Sequence, residues 1–200
     1  MRELFITNSL NSIKNKNPNY DKEKLEVIEY GLTGLYILIT KSIIIFTIAY
    51  FLGIFKELLI FMIIYNLIRT VSFGIHLSSS LSCLITSAVA FLGTTILCKY
   101  CIIPINIKII IGLLEIPYIY LHSPADTEKR PIVNPKRRLI YKLLSTIIAI
   151  GMIISSILIK NTFVSNSFIL ALLIQCIIIS PITYKLTKQK YNNYIYYQIN

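Results

Sequence analysis

One of the two histidines and one of the four cysteines in this chain stand close together, at His76 and Cys83, inside a stretch that opens on Arg69. A thiol and an imidazole are the components of a cysteine nucleophile with its base. Their spacing sets a condition. If residues 76–83 were one helix, the two side chains would share a face but stand about 10 Å apart along the axis, too far for a hydrogen bond. The pair works only if the helix begins near Ser78 to Ser80 and Gly74 lets the preceding segment fold His76 back toward the first turn. Cys83 then lies in or just past that turn, where the helix dipole and a nearby imidazolium both favour thiolate. By default a lone cysteine in an apolar helix is a packing residue and a lone interfacial histidine a cap. Here Arg69, Gly74 and three serines accompany them, at a depth where each polar group needs a partner.

The elements that must position this pair are membrane spans. The chain has 200 residues, 55% hydrophobic and only 14% charged, and several apolar runs approach the length needed to cross a hydrocarbon core. The expected fold class is all-α: a polytopic membrane protein of about six transmembrane helices, with amphipathic N-terminal helices and both termini cytoplasmic. Residues 1–200 form one membrane-embedded domain in this reading. Residues 1–31 are polar, but Ile6, Leu10 and Ile13, then Leu25, Ile28 and Leu32, recur at helical spacing, so two helices broken around Pro18 would lie on the inner leaflet. The spans follow at about Leu35–Phe55, Leu58–Ile68, Ser80–Leu97, Ile107–Leu121, Leu139–Ile159 and Phe163–Tyr184. The second is short and needs shielding by protein. A polar loop, 122–138, separates the fourth from the fifth. The first thirty residues lack the apolar core and cleavage site of a signal peptide.

Positive charge gives the orientation. The five Lys/Arg before residue 30, Lys41, Arg69, the six from Lys129 to Lys142 and the three after Tyr184 fall inside, sixteen in all, against Lys56, Lys99, Lys108 and Lys160 outside. This puts His76, Cys83 and the 122–138 loop on the cytoplasmic side of the cell membrane. The net charge of +11 is explained by that bias, with anionic lipid heads or an acidic partner as a further attraction. No basic stripe with interleaved aromatics suggests nucleic acid.

Other residues carry candidate chemistry. Glu115 is an acid within an apolar span, which normally has a partner or a task. It can orient His76, pair with Arg69 or neutralise Lys108. Cys98 and Cys101 have CxxC spacing but lack the context of a redox or zinc site, so no metal and no cofactor is expected. His122 is a spare base. Lys136, Arg137 and Arg138 are a topology anchor and lipid contact by default, or a docking site for an acidic peptide tail.

The sequence resembles the AgrB quorum-sensing peptidases, which process a pro-peptide of the AgrD type. The likeness rests on Arg69, Gly74 and His76 followed by six residues and Cys83, and on the loop Pro124-Ala-Asp-Thr-Glu-Lys-Arg-Pro131, which holds Asp126, Lys129 and Arg130, with basic residues after it. Span count and length agree. The family commonly has paired glycines two and three residues before the histidine; here the pair is Phe73-Gly74. The resemblance implies a membrane cysteine endopeptidase in which Cys83 attacks near the carboxyl end of the pro-peptide, His76 acts as base and then acid, and an acidic tail leaves. The thioester then passes to a cysteine or serine of the peptide, giving a cyclic thiolactone or lactone. The partners implied are that amphipathic pro-peptide and membrane lipids, and a homodimer is compatible with it. A rival from another class is a small peptide carrier or exporter whose polar inner vestibule of Arg69, Glu115 and His76 binds without chemistry. A structural membrane subunit is a third.

Overall fold

A computed structural model describes residues 2–17, 20–75, 80–128 and 131–197. The fold is all-α and divides into two compact units, Met1–Phe51 and Leu52–Asn200. His76, Lys129 and Arg130 lie outside the described residues.

In the first unit α1 (Arg2–Lys16) packs on α2 (Lys22–Phe51), with the Phe5 and Tyr36 rings 5.6 Å apart. Asp21 caps α2, its Oδ1 accepting from the Lys24 amide at 2.8 Å. The amphipathic helix expected before residue 32 and the first span are a single rod here. Gly31 and Gly34 interrupt neither, because an isolated helical glycine costs only about 1 kcal/mol and the apolar sequence continues beyond them.

The second unit begins with α3 (Phe55–Ser72). It continues through α4 (Ser80–Ala88), a π-helical turn at Val89–Gly93, α5 (Thr94–Tyr100), α6 (Ile105–His122), α7 (Pro135–Leu158), α8 (Thr162–Ile179) and α9 (Pro181–Leu186), and ends in a 3-10 turn at Asn193–Tyr197. Among the described residues five helices are long and apolar enough to cross a membrane: Lys24–Phe51, Leu81–Tyr100, Ile105–His122, Pro135–Leu158 and Thr162–Ile179. The sixth expected span, α3, matches α6 and α8 in length but carries Lys56, Glu57 and Arg69. It is shielded as anticipated: Leu58, Phe61, Ile64, Tyr65 and Ile68 form one buried stripe.

Capping fixes where the later helices start. Asn134 accepts from the Lys136 and Arg137 amides at 2.9 and 3.2 Å, with Pro135 in the first turn. Asn161 caps α8 through the Val164 amide at 3.0 Å, and Ser180 with Pro181 ends that span and opens α9. The last span therefore stops at Ile179, short of Tyr184.

The core lies where α3, α7 and α8 pack together, with α6 against α7 and α8 and α5 against α8. Phe61, Ile68, Met152, Ile169 and Leu172 fill it, while Ile63, Leu113, Leu114 and Ile147 on outer faces are exposed, as lipid-facing residues would be. Packing alone associates helices in lipid, so polar ties matter. The Asn166 amide of α8 donates to the carbonyls of Cys98 and Cys101 at 3.3 and 2.8 Å, and Lys99 pairs with Glu57 at 2.7 Å. Both pairs hold the end of the bundle away from Arg69.

The closest approach is at Gly112 of α6, where a Cβ would stand 2.8 Å from Ile153 Cγ2 of α7. Gly112→Ala is expected to destabilise the detergent-solubilised protein by about 1–3 kcal/mol. Adding Ile153→Ala should cost less than the sum of the two single changes, measured as thermal unfolding midpoints; strict additivity would mean the helices do not meet there.

Candidate functional site

The chain leaves α3 by a bend that few sequences tolerate. Ser72 is the last helical residue; Phe73 then has φ 57° and ψ −138°, and Gly74 has φ 119°. Two successive positive φ angles turn the carbonyls of 73–75 toward the end of α3. There Arg69, in its last turn, collects them: Nη1 donates to the Phe73 carbonyl, and Nη2 to those of Gly74 and Ile75 at 3.3 and 3.1 Å. The Gln175 amide of α8 donates to the Phe73 carbonyl at 2.7 Å and to Ser72 Oγ at 3.0 Å. The Phe73 ring sits edge-on against Tyr141, centroids 4.9 Å apart. Only glycine fits at 74: a Cβ would lie 2.5 Å from Arg69 Nη1 and 2.6 Å from Ile178 Cγ2, at a φ that L side chains rarely adopt.

Helix resumes at Ser80 as the first described residue of α4, which makes Cys83 its fourth, half-buried and in no disulfide. The non-helical bend at 73–75 and the first turn of α4 around Cys83 stand where the spacing argument required them. A straight helix through 73–83 is excluded.

The loop expected to accompany the pair is bound to this bend. The Ala125 amide donates to the Ser72 carbonyl at 3.0 Å and the Gly74 amide to the Ala125 carbonyl at 2.8 Å, a parallel bridge between Phe73 and Ala125. Ser123 Oγ donates to Ser145 Oγ of α7 at 2.7 Å. Asp126 is buried. Its Oδ1 accepts from the Asn193 amide at 2.9 Å, and its Oδ2 from the amides of Tyr194 and Ile132 at 2.9 and 3.3 Å, with Arg138 Nη1 at 3.6 Å.

The basic triple therefore divides. Lys136 and Arg137 are exposed, whereas Arg138 faces Asp126 and lies 3.5 Å from the centre of the Tyr194 ring. Glu115 is buried on α6, and among the described residues neither of its carboxylate oxygens has a hydrogen-bond partner; it pairs with neither Arg69 nor Lys108. Lys108 donates to Ser165 Oγ instead. His122 Nδ1 lies 2.9 Å from the Tyr191 hydroxyl. Among the described residues no cluster of His, Cys, Asp and Glu could hold a metal ion. Three contributors escaped the sequence reading: Gln175, Tyr184 and the 191–194 segment. A solitary amide in the most apolar span was the available signal for Gln175.

Comparison with known proteins follows the same stretch of chain. The family model of AgrB, accessory gene regulator B, matches residues 6–179. A protein described as AgrB-like from Clostridium acetobutylicum is 29% identical over 186 residues, covering 90% of this chain and 86% of the relative. A second from Listeria innocua is 30% identical over 183 residues, 89% and 87% of the two chains. The accessory gene regulator protein B of Staphylococcus aureus is 32% identical over 171 residues, 84% and 89%. No solved structure matches.

The bend yields a ranking. Phe73→Gly and Phe73→Ala both lose the ring contact with Tyr141, but only alanine keeps the strained φ. The glycine variant should be the more stable by about 1 kcal/mol. Gly74→Ala should be worse than either. Thermal unfolding in detergent measures the order, and Phe73→Ala outlasting Phe73→Gly would show that the positive φ carries no strain.

Proposed function

The chain belongs to the AgrB family, and on that premise we propose that it is a membrane cysteine endopeptidase that removes the carboxyl-terminal tail of an AgrD-type pro-peptide at the cytoplasmic face. The observation that carries this reading is the bend itself. Arg69, Gln175 and Ala125 together hold the backbone that leads directly into His76, and Cys83 follows in the first turn of α4.

Cys83 Sγ attacks the scissile carbonyl carbon and His76 takes its proton. The tetrahedral oxyanion needs donors, and two sources were open: Arg69 or the amides at the start of α4. Arg69 is committed to three carbonyls, which favours the first-turn amides, whose N–H groups have no partner within the helix. Collapse breaks the C–N bond; His76 returns the proton to the leaving nitrogen, and the tail departs. The peptide is left as a thioester on Cys83. A thiol or hydroxyl within the peptide then attacks that carbonyl, closing the ring and regenerating the enzyme thiol. Amide to thioester is uphill and thioester to thiolactone nearly neutral, so removal of the tail draws the sequence forward.

An acidic tail would meet Lys136 and Arg137, exposed at the start of α7 on the same end of the bundle as Asp126 and the bend. Arg138 is occupied with Asp126 and has a different task. Outward charges steer and hold a substrate; they do not touch its chemistry.

Co-expression with an acidic-tailed pro-peptide, followed by mass spectrometry of the peptide, tests the assignment. Cys83→Ala and His76→Ala are each expected to leave the tail uncleaved in membrane-inserted protein. Cleavage by Cys83→Ala would sink the peptidase reading in favour of a carrier. In purified protein, Lys136→Glu with Arg137→Glu should raise KM about tenfold at low salt, less at high salt, with kcat unaltered. An unchanged KM would reduce those residues to topology signals.

A further inference from the structure

We infer that the carboxyl-terminal segment from Tyr184 to Tyr194 is a strap that positions the catalytic bend, with Asp126 as the positioning residue through which it acts. This rests on the peptidase reading above and adds to it a part of the chain beyond residue 179, where the family match stops.

The strap converges on one residue. Both carboxylate oxygens of Asp126 accept amides of the segment, Asn193 and Tyr194, at 2.9 Å each. The Asp126 carbonyl accepts from the Tyr184 hydroxyl at 2.8 Å and from Asn193 Nδ2 at 3.4 Å. Tyr191 reaches His122, at the other end of the short loop that holds Asp126, and its ring meets that of Tyr184 at 5.2 Å. Burial, and then the nearby Asp126 charge, raise the Tyr184 phenol above its ordinary range, so it stays a hydrogen-bond donor.

The carboxylate of Asp126 is only 3% exposed at the residue level, and an ionised group so placed requires compensation. Arg138 at 3.6 Å and the Ile132 amide at 3.3 Å supply part of it. The two strap amides supply the rest. Without them the carboxylate is under-satisfied and the loop must rearrange to find water. Ala125, its immediate neighbour, makes both hydrogen bonds of the bridge to Ser72 and Gly74. A shift at Asp126 is therefore delivered within one residue to the backbone that carries His76. The strap touches neither nucleophile nor base, so its effect falls on their geometry.

The experiment uses purified full-length protein in nanodiscs with an acidic-tailed pro-peptide. It compares wild type, a chain ending at Gln189, Asp126→Asn and His76→Ala. Two readouts are taken: kcat and KM for tail removal, and the pH profile of Cys83 alkylation without substrate. Both strap variants are expected to lose about 10–100-fold in kcat with KM within about twofold of wild type, as small misplacements of reacting groups do. Their alkylation profiles should move toward that of His76→Ala. Retained kcat, or a wild-type alkylation profile alongside a lowered kcat, overturns the strap. So does failure of both variants to fold, judged by gel filtration, because the segment would then belong to the fold as a whole. If wild type and His76→Ala share one profile, the His76–Cys83 pairing is itself wrong, and the strap with it.

Discussion

A guanidinium spanning three consecutive carbonyls at the end of a helix is the interaction on which the second unit depends. The last turn of any helix leaves carbonyls unpaired, and in an apolar surrounding each one is costly. Here the positive φ values at Phe73 and Gly74 concentrate further carbonyls at the same place instead of dispersing them. Five donors in a rigid plane can serve such a group; a lysine ammonium, a point charge on a flexible stem, would not hold the same backbone shape. The bend is thus defined from inside by Arg69 and from outside by Gln175 and Ala125. Strain at Phe73 persists because three elements determine it at once.

The same logic explains why α8, an almost wholly apolar helix, lies at the centre. Asn166 near one end and Gln175 near the other reach the ends of neighbouring helices, α5 and α3, where backbone carbonyls have run out of helical partners. Each amide replaces water that hydrocarbon cannot provide. Two polar side chains therefore set the register of three helices more tightly than dispersion contacts alone could. Glu115 is the exception: a buried acid whose oxygens meet no donor among the described residues, one helix away from this arrangement.

Much of the second unit was legible because its signals are local. Apolar run length gave α6, α7 and α8 to within a few residues, and the distance constraint between His76 and Cys83 demanded a break that Gly74 duly supplies. What stayed hidden was set by competition or distance. The continuity of α2 depends on a glycine penalty too small to stop an apolar helix. The positive φ at Phe73 contradicts its residue type and is enforced by tertiary contacts. Lys136, Arg137 and Arg138 read as one charge cluster, yet successive helical residues point about 100° apart, so only one of the three turns to Asp126. The partners of Asp126 lie more than sixty residues downstream, and no periodicity announces such a contact.

These features bear on the kind of catalysis the proposed site must perform. A protease that hydrolyses needs only an activated thiolate and access to water. An enzyme that hands its acyl group to a nucleophile within the same peptide has to hold a thioester, less stable than the bond it came from, while the ring-closing group approaches. Greater thiol reactivity does not help there; it speeds the reverse reaction with the tail amine equally. Fixed geometry does help, because it excludes competing approaches to the acyl carbon. A strained bend held by Arg69, Gln175 and Ala125, and secured through Asp126 to the end of the chain, is a costly way to carry a general base. It is well matched to a reaction whose outcome depends on where the acyl group is held.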